Sequence, residues 1–141
     1  MRTTYRAARL ALGATAGMAL ALSGITPASA ATWELRDFQQ RICVTSSNGH
    51  PGTYFVAAVV GHWSTTVQIA LRDLPAGSTS AGGTPIPPGS NYPNNGSTTI
   101  NGFVQLSIAP LPVGMYTPRL TASDGTETQS VPVTINVKES C

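Results

Sequence analysis

The stretch GMYTPRLTASDGTETQSVPVTINV, residues 114–137, decides the fold. Tyr116, Leu120 and Ala122 alternate with Thr117, Arg119 and Thr121, and Val131, Val133, Ile135 and Val137 form the cleanest alternation in the chain. A period of two places every second side chain on one face, which is the signature of a half-buried strand. Ser123-Asp124-Gly125-Thr126 separates the two runs and carries the residue types of a tight hairpin turn. Pro132 falls on the outer face of the last run and has no N–H to give to a ladder. That strand is therefore expected at a sheet edge, or bulged there.

The same pattern extends towards the N-terminus. Ile100, Val104, Leu106 and Ile108 share one face, Gln105 and Ser107 the other, and Pro110 and Pro112 end the run. Val67, Ile69 and Leu71 alternate with polar neighbours up to Leu74-Pro75. Thr53 to Val60 is nearly continuous in apolar, β-branched and aromatic residues and reads as a buried strand. Asn48-Gly49-His50-Pro51-Gly52 before it is turn chemistry. Between Trp33 and Val44, an extended chain puts Ile42 and Val44 on one face and Cys43 on the other. Residues 75–96 have no periodicity and no charge and are dense in Gly, Pro, Ser and Asn, so they read as one long loop. The expectation is a single all-β domain: a two-sheet antiparallel sandwich of about seven strands, with that loop at 75–96.

Gly114-Met115-Tyr116, followed by a strand, an Asp-Gly turn and a strand, resembles the tyrosine-corner end of immunoglobulin-like domains. The inter-sheet disulfide of those domains does not carry over, because no Cys stands two residues after Tyr116. The chain beyond residue 30 also resembles small secreted proteins of unknown function from filamentous actinobacteria. The residues that carry this likeness are Trp33, Asp37-Phe38, Arg41-Ile42-Cys43, Leu74-Pro75-Ala76-Gly77 and Ile86-Pro87-Pro88-Gly89-Ser90-Asn91, then Tyr116-Thr117-Pro118, Ser123 to Glu127, Val131 to Thr134 and Cys141. The resemblance implies a fold and a compartment and brings no activity.

The first thirty residues read as an export signal. Arg2, Arg6 and Arg9 precede an uncharged apolar run from Leu10 to Ile25, and Pro27 leads into Ala28-Ser29-Ala30, a small-x-small cleavage pattern. The run is shorter than the ~20 residues that span a bilayer, so removal after Ala30 is expected rather than anchoring. The charge balance then changes. Arg36, Arg41, Arg72, Arg119 and Lys138 face Glu34, Asp37, Asp73, Asp124, Glu127 and Glu139, so the +2 of the full chain becomes −1 in residues 31–141. Five scattered cations give no footprint for a phosphate backbone, and nucleic-acid binding is not expected. Cys43 and Cys141 are the two cysteines, and an exported pair oxidises. Their bridge is expected on the sheet surface or rim.

Catalytic patterns are weak. There is no Gly-x-Ser-x-Gly, no phosphate-binding glycine loop, and His50 and His62 match no zinc spacing. Asp124 and Glu127 are better explained by the hairpin than by calcium. No catalytic residue, metal or cofactor is assigned. The candidate binding surface is aromatic: Trp33, Trp63, Tyr92 and Phe103 could stack on sugars or anchor a partner if exposed together. For Trp33 and Trp63, covering an end of the core is the stronger reading, and for Tyr92 the two readings balance. The resulting expectation is a monomeric, secreted, non-catalytic binding or structural module whose partner is an extracellular protein or a glycan. The alternatives are an inhibitor of an extracellular hydrolase that presents residues 75–96, and a small hydrolase built on His62.

Overall fold

The computed structural model describes residues 31–90 and 97–141. The expected export signal and Tyr92 lie outside them. The described chain is all-β and contains ten strands: β1 (Trp33–Arg36), β2 (Arg41–Thr45), β3 (His50–Gly61), β4 (Gln68–Arg72), β5 (Thr79–Gly83), β6 (Ile100–Ile108), β7 (Gly114–Tyr116), β8 (Arg119–Ser123), β9 (Thr128–Pro132) and β10 (Thr134–Lys138). They form a four-stranded sheet in the order β1-β3-β6-β5 and two three-stranded sheets, β2-β10-β7 and β4-β8-β9. This corrects the expectation of about seven strands in two sheets.

Proline accounts for the division of the last hairpin. β7 and β10 pair with Ile135 opposite Tyr116, while β8 and β9 pair with Pro132 opposite Arg119. These positions are three apart along each strand, so one antiparallel hairpin in a single register runs through both small sheets. At the gap, Pro118 and Pro132 cannot donate to a ladder. One bond survives there, from the Val133 N–H to the Pro118 carbonyl at 3.0 Å. The clean alternation of residues 131–137 thus holds for side chains, while the hydrogen-bonded strand is broken at Val133. β9 lies at the edge of its sheet, as Pro132 required. The second correction concerns direction: β2 pairs with β10 in parallel, with Ile42 opposite Ile135 and Val44 opposite Val137.

The third correction falls within residues 75–96. Thr79–Gly83 is a strand paired with β6, and Ile86 is buried and bridged to Val67. This segment is held by backbone and by close approach, not by an alternating face. A Cβ on Gly83 would lie 2.8 Å from Ile69 Cβ, and one on Gly102 would lie 2.2 Å from Ile69 Cδ1. The two glycines make room for the Ile69 side chain between β5 and β6.

The core joins Leu35, Phe55, Ala57, Val59, Val104, Leu106 and Ile108 of the four-stranded sheet to Val44, Ile69, Leu71, Leu120, Ala122, Ile135 and Val137 of the other strands. Two glutamines close its flanks. β1 leaves β3 after Arg36 opposite Ala58, and the Gln40 side chain takes over its ladder. Gln40 Nε2 donates to the Val56 carbonyl at 2.7 Å, and the Val56 N–H donates to Gln40 Oε1 at 2.8 Å. The Gln40 carbonyl accepts from the Thr134 N–H, so one residue ties β3 to β10. Gln129 of β9 treats the other edge of β1 the same way, donating to the Trp33 carbonyl and accepting from the Leu35 N–H, both at 2.8 Å. Each primary amide carries the donor and acceptor of a peptide, so it can satisfy a strand edge without adding a strand.

Cys43 and Cys141 are joined, with Cα atoms 5.9 Å apart. Both are exposed. Cys43 stands opposite Asn136, on the face away from Ile42 and Val44, so the staple lies outside the core as expected.

Candidate functional site

The outer face of the four-stranded sheet holds the candidate site. Inward positions of β3 (Phe55, Ala57, Val59) fill the core, which leaves Tyr54 and Val56 pointing away from it, while Ala58 in the same phase is fully covered. β6 is in phase, with Phe103 opposite Val56 and Gln105 opposite Tyr54. Tyr54 and Phe103 sit diagonally across the two strands, and their rings meet edge-to-face with centroids 5.5 Å apart. Diagonal neighbours on one sheet face are within reach of aromatic side chains, and an edge-to-face pair is a favoured geometry. Although they support each other, both stay in solvent: Tyr54 is 56 % and Phe103 46 % exposed.

Beside Tyr54 lies an open groove of about 400 Å³, lined by Pro51, Gly52, Thr53, Tyr54, Thr79, Ala81, Gln105, Leu106 and Ser107. It runs over the sheet where β5 joins β6, with Thr79 opposite Ser107. The β5 residue Ser80 is occupied, donating to the Gln105 carbonyl at 2.9 Å. The side chains of Thr53, Tyr54, Thr79, Gln105 and Ser107 make no hydrogen bond to another described residue. Among the described strand residues, charge on this face is confined to the far edge, where Glu34 and Arg36 of β1 form an exposed pair at 3.6 Å. From β1 to β5, then, the face passes from charged to aromatic to neutral and hydroxylated.

The structure separates the four aromatic candidates. Trp33 is 3 % exposed and Trp63 is 6 % exposed, and both belong to the core. The Trp33 indole N–H donates to Asp124 Oδ2 at 2.9 Å and that of Trp63 to the Pro87 carbonyl at 2.8 Å. A buried indole needs such an acceptor, and with one in place neither ring is a binding surface. Phe103 is where its strand phase put it. Tyr54 was missed, because it sits inside the Thr53–Val60 run that read as wholly buried. The usable signal was parity: a strand that buries residues 55, 57 and 59 turns residue 54 to its other face.

Asp124 and Glu127 are used by the fold. Asp124 Oδ1 accepts from the N–H groups of Glu127 at 2.7 Å and Thr126 at 2.9 Å. These bonds, then the Trp33 indole, hold its carboxyl below the usual range by favouring the charged form. Glu127 Oε1 accepts from Gln129 Nε2 at 2.9 Å, which links the turn to the β1 edge clip. No group of three or more His, Cys, Asp or Glu arranged to hold a metal occurs among the described residues. His62 is exposed, and the shielded Nδ1 of His50 has no partner among the described residues. Neither imidazole is oriented by a carboxylate there, the arrangement a general base requires.

Tyr116 reproduces the feature that prompted the immunoglobulin-like likeness: its hydroxyl donates to the Pro112 carbonyl, four residues upstream, at 3.0 Å. Among solved structures, the chain is similar to the ASH/PapD-like domain (PapD-like domain 7) of human CEP192, at 10 % identity and a TM-score of 0.41, over 91 % of this chain and 100 % of that one. No curated protein matches the sequence. One family model covers residues 34–139, from the second residue of β1 to just past β10. The chain belongs to the family of unknown function DUF5980.

Proposed function

We propose that this protein is a secreted bacterial binding module without catalytic activity, and that its working surface is the outer face of the four-stranded sheet. The observation that carries this reading is the exposed Tyr54–Phe103 pair beside the open groove. Two large rings held in water add nothing to the core. Aromatic side chains supply large contact area at low conformational cost, which is why they anchor binding surfaces. Secretion rests on the export pattern of residues 1–30 and suits an exposed disulfide in a small domain. The inhibitor alternative needs residues 75–96 to project. Its weight falls because β5 is paired, Ile86 is buried and Pro87 is clamped by Trp63.

Secreted wild-type protein and the Tyr54→Ala/Phe103→Ala double variant, each immobilised and exposed to producer-culture fluid and cell-wall material, test the reading. Wild type should retain a component that the double variant releases. Equal retention by both would place binding elsewhere. The intact mass of the secreted form should begin at or very near Ala31, and a mass that includes residues 1–30 would remove the compartment assignment.

A further inference from the structure

Resting on that reading, we infer that the groove beside Tyr54 takes a segment of a neutral polysaccharide. Three observations converge on sugar. Among the described residues no charged side chain lines the groove, so neither a polyanion nor a charged peptide finds a counter-charge there. Its outward polar groups are the hydroxyls of Thr79 and Ser107 and the amide of Gln105, none bonded to another described residue. Together they offer donors and acceptors in the neutral form that sugar hydroxyls match. One wall is the Tyr54 ring, steadied by Phe103 and able to stack on the apolar face of a pyranose.

An extended peptide is disfavoured by the floor of the groove. The free edges of the sheet, the outer side of β5 and the stretch of β3 before Val56 that neither β1 nor Gln40 reaches, lie in the plane of the sheet, whereas the groove lies over its face. Recognition by strand addition would seat a peptide along one of those edges, and the floor of the groove offers it only side chains. The groove is open rather than enclosed, which fits a run of a longer chain better than a single sugar buried on all sides.

The test is affinity electrophoresis of the full secreted protein in native gels cast with one soluble neutral polysaccharide each: a glucan, a xylan, a mannan and a galactan. A parallel gel carries dextran sulfate. At least one neutral polymer should retard the wild type. Tyr54→Ala should weaken that retardation about tenfold or more, the loss of one stacked ring. Thr79→Ala and Gln105→Ala should each weaken it by roughly two- to tenfold, the loss of one hydrogen bond. All three sites are on the surface, so thermal unfolding of each variant should match wild type within a few degrees. No retardation in any neutral gel, retardation in dextran sulfate alone, or unchanged retardation of Tyr54→Ala would each overturn the inference. The culture-fluid experiment separates the two failures. If the double variant still loses its component there, the face binds something other than neutral sugar. If it does not, the binding-face reading fails as well.

Discussion

Replacing Gln40 tests how the flank of the sandwich is closed. Its amide supplies both hydrogen bonds of Val56 beyond the end of β1, at 2.7 and 2.8 Å in a part-buried setting. Gln40→Ala removes both partners and leaves one peptide N–H and one carbonyl to find whatever water reaches them. Each bond is worth about 0.5–1.5 kcal/mol net, and an orphaned part-buried group costs about 1–3 kcal/mol. A loss of roughly 2–3 kcal/mol is expected for the pair, or a fall in Tm of about 8–15 °C in a domain of this size. Gln40→Glu sharpens the argument. Its carboxylate can still accept from the Val56 N–H but confronts the Val56 carbonyl with a second acceptor, which favours the neutral acid in the folded state. The folded-state pKa of the new carboxyl is then raised above the unfolded value of about 4.3. Relative to wild type, this variant should recover stability as pH falls through that raised value and lose it as pH rises. Urea unfolding between pH 4 and 8 reads both effects. An alanine variant within about 0.5 kcal/mol of wild type, or a glutamate variant with the pH dependence of wild type, would refute the account of this flank.

Other sites give independent tests. Native protein should take up no thiol label without reductant, and Cys43→Ser/Cys141→Ser should lose about 4–5 kcal/mol, because the bridge spans 98 residues. Ile86→Ala should cost about 2–5 kcal/mol in chemical denaturation, since Ile86 is buried although it lies in the stretch that read as loop. Asp124 has a lowered pKa, so its contribution to stability is present above the unfolded value of about 3.9 and lost as pH falls through the lower folded value. Asp124→Asn should therefore be less stable at neutral pH and show a flatter acid limb in unfolding against pH.

The parts of the fold legible in the sequence are those encoded by local periodicity. Val104, Leu106 and Ile108 are buried as their alternation required, and so are Leu120, Ala122, Ile135 and Val137. The Asp124-Gly125 hairpin and the Cys43–Cys141 staple were readable from residue type and compartment. β5 was not, because Thr79–Gly83 pairs through its backbone and keeps no apolar face. The Gln40 and Gln129 clips left no local trace. Their partners lie 16 and 94 or more residues away, and an isolated glutamine looks like any solvated side chain. The split of the last hairpin was half visible: Pro132 announced an irregularity, but Pro118 had to stand beside Val133 before the ladder was seen to break. As for the site, Phe103 followed from strand phase. The outward turn of Tyr54 was in the parity of its strand, but its meeting with Phe103 and the groove needed the register between β3 and β6, which distant pairing alone supplies.

The most direct test of the binding face is residue-resolved amide and side-chain NMR of the protein titrated with the neutral polysaccharide that retards it most. Shifts should concentrate at Tyr54, Thr79, Phe103, Gln105 and Ser107, and the indole signals of Trp33 and Trp63 should stay fixed. Shifts centred on the opposite sheet, around Met115 and Asn136, or on the Trp33 indole, would contradict the account.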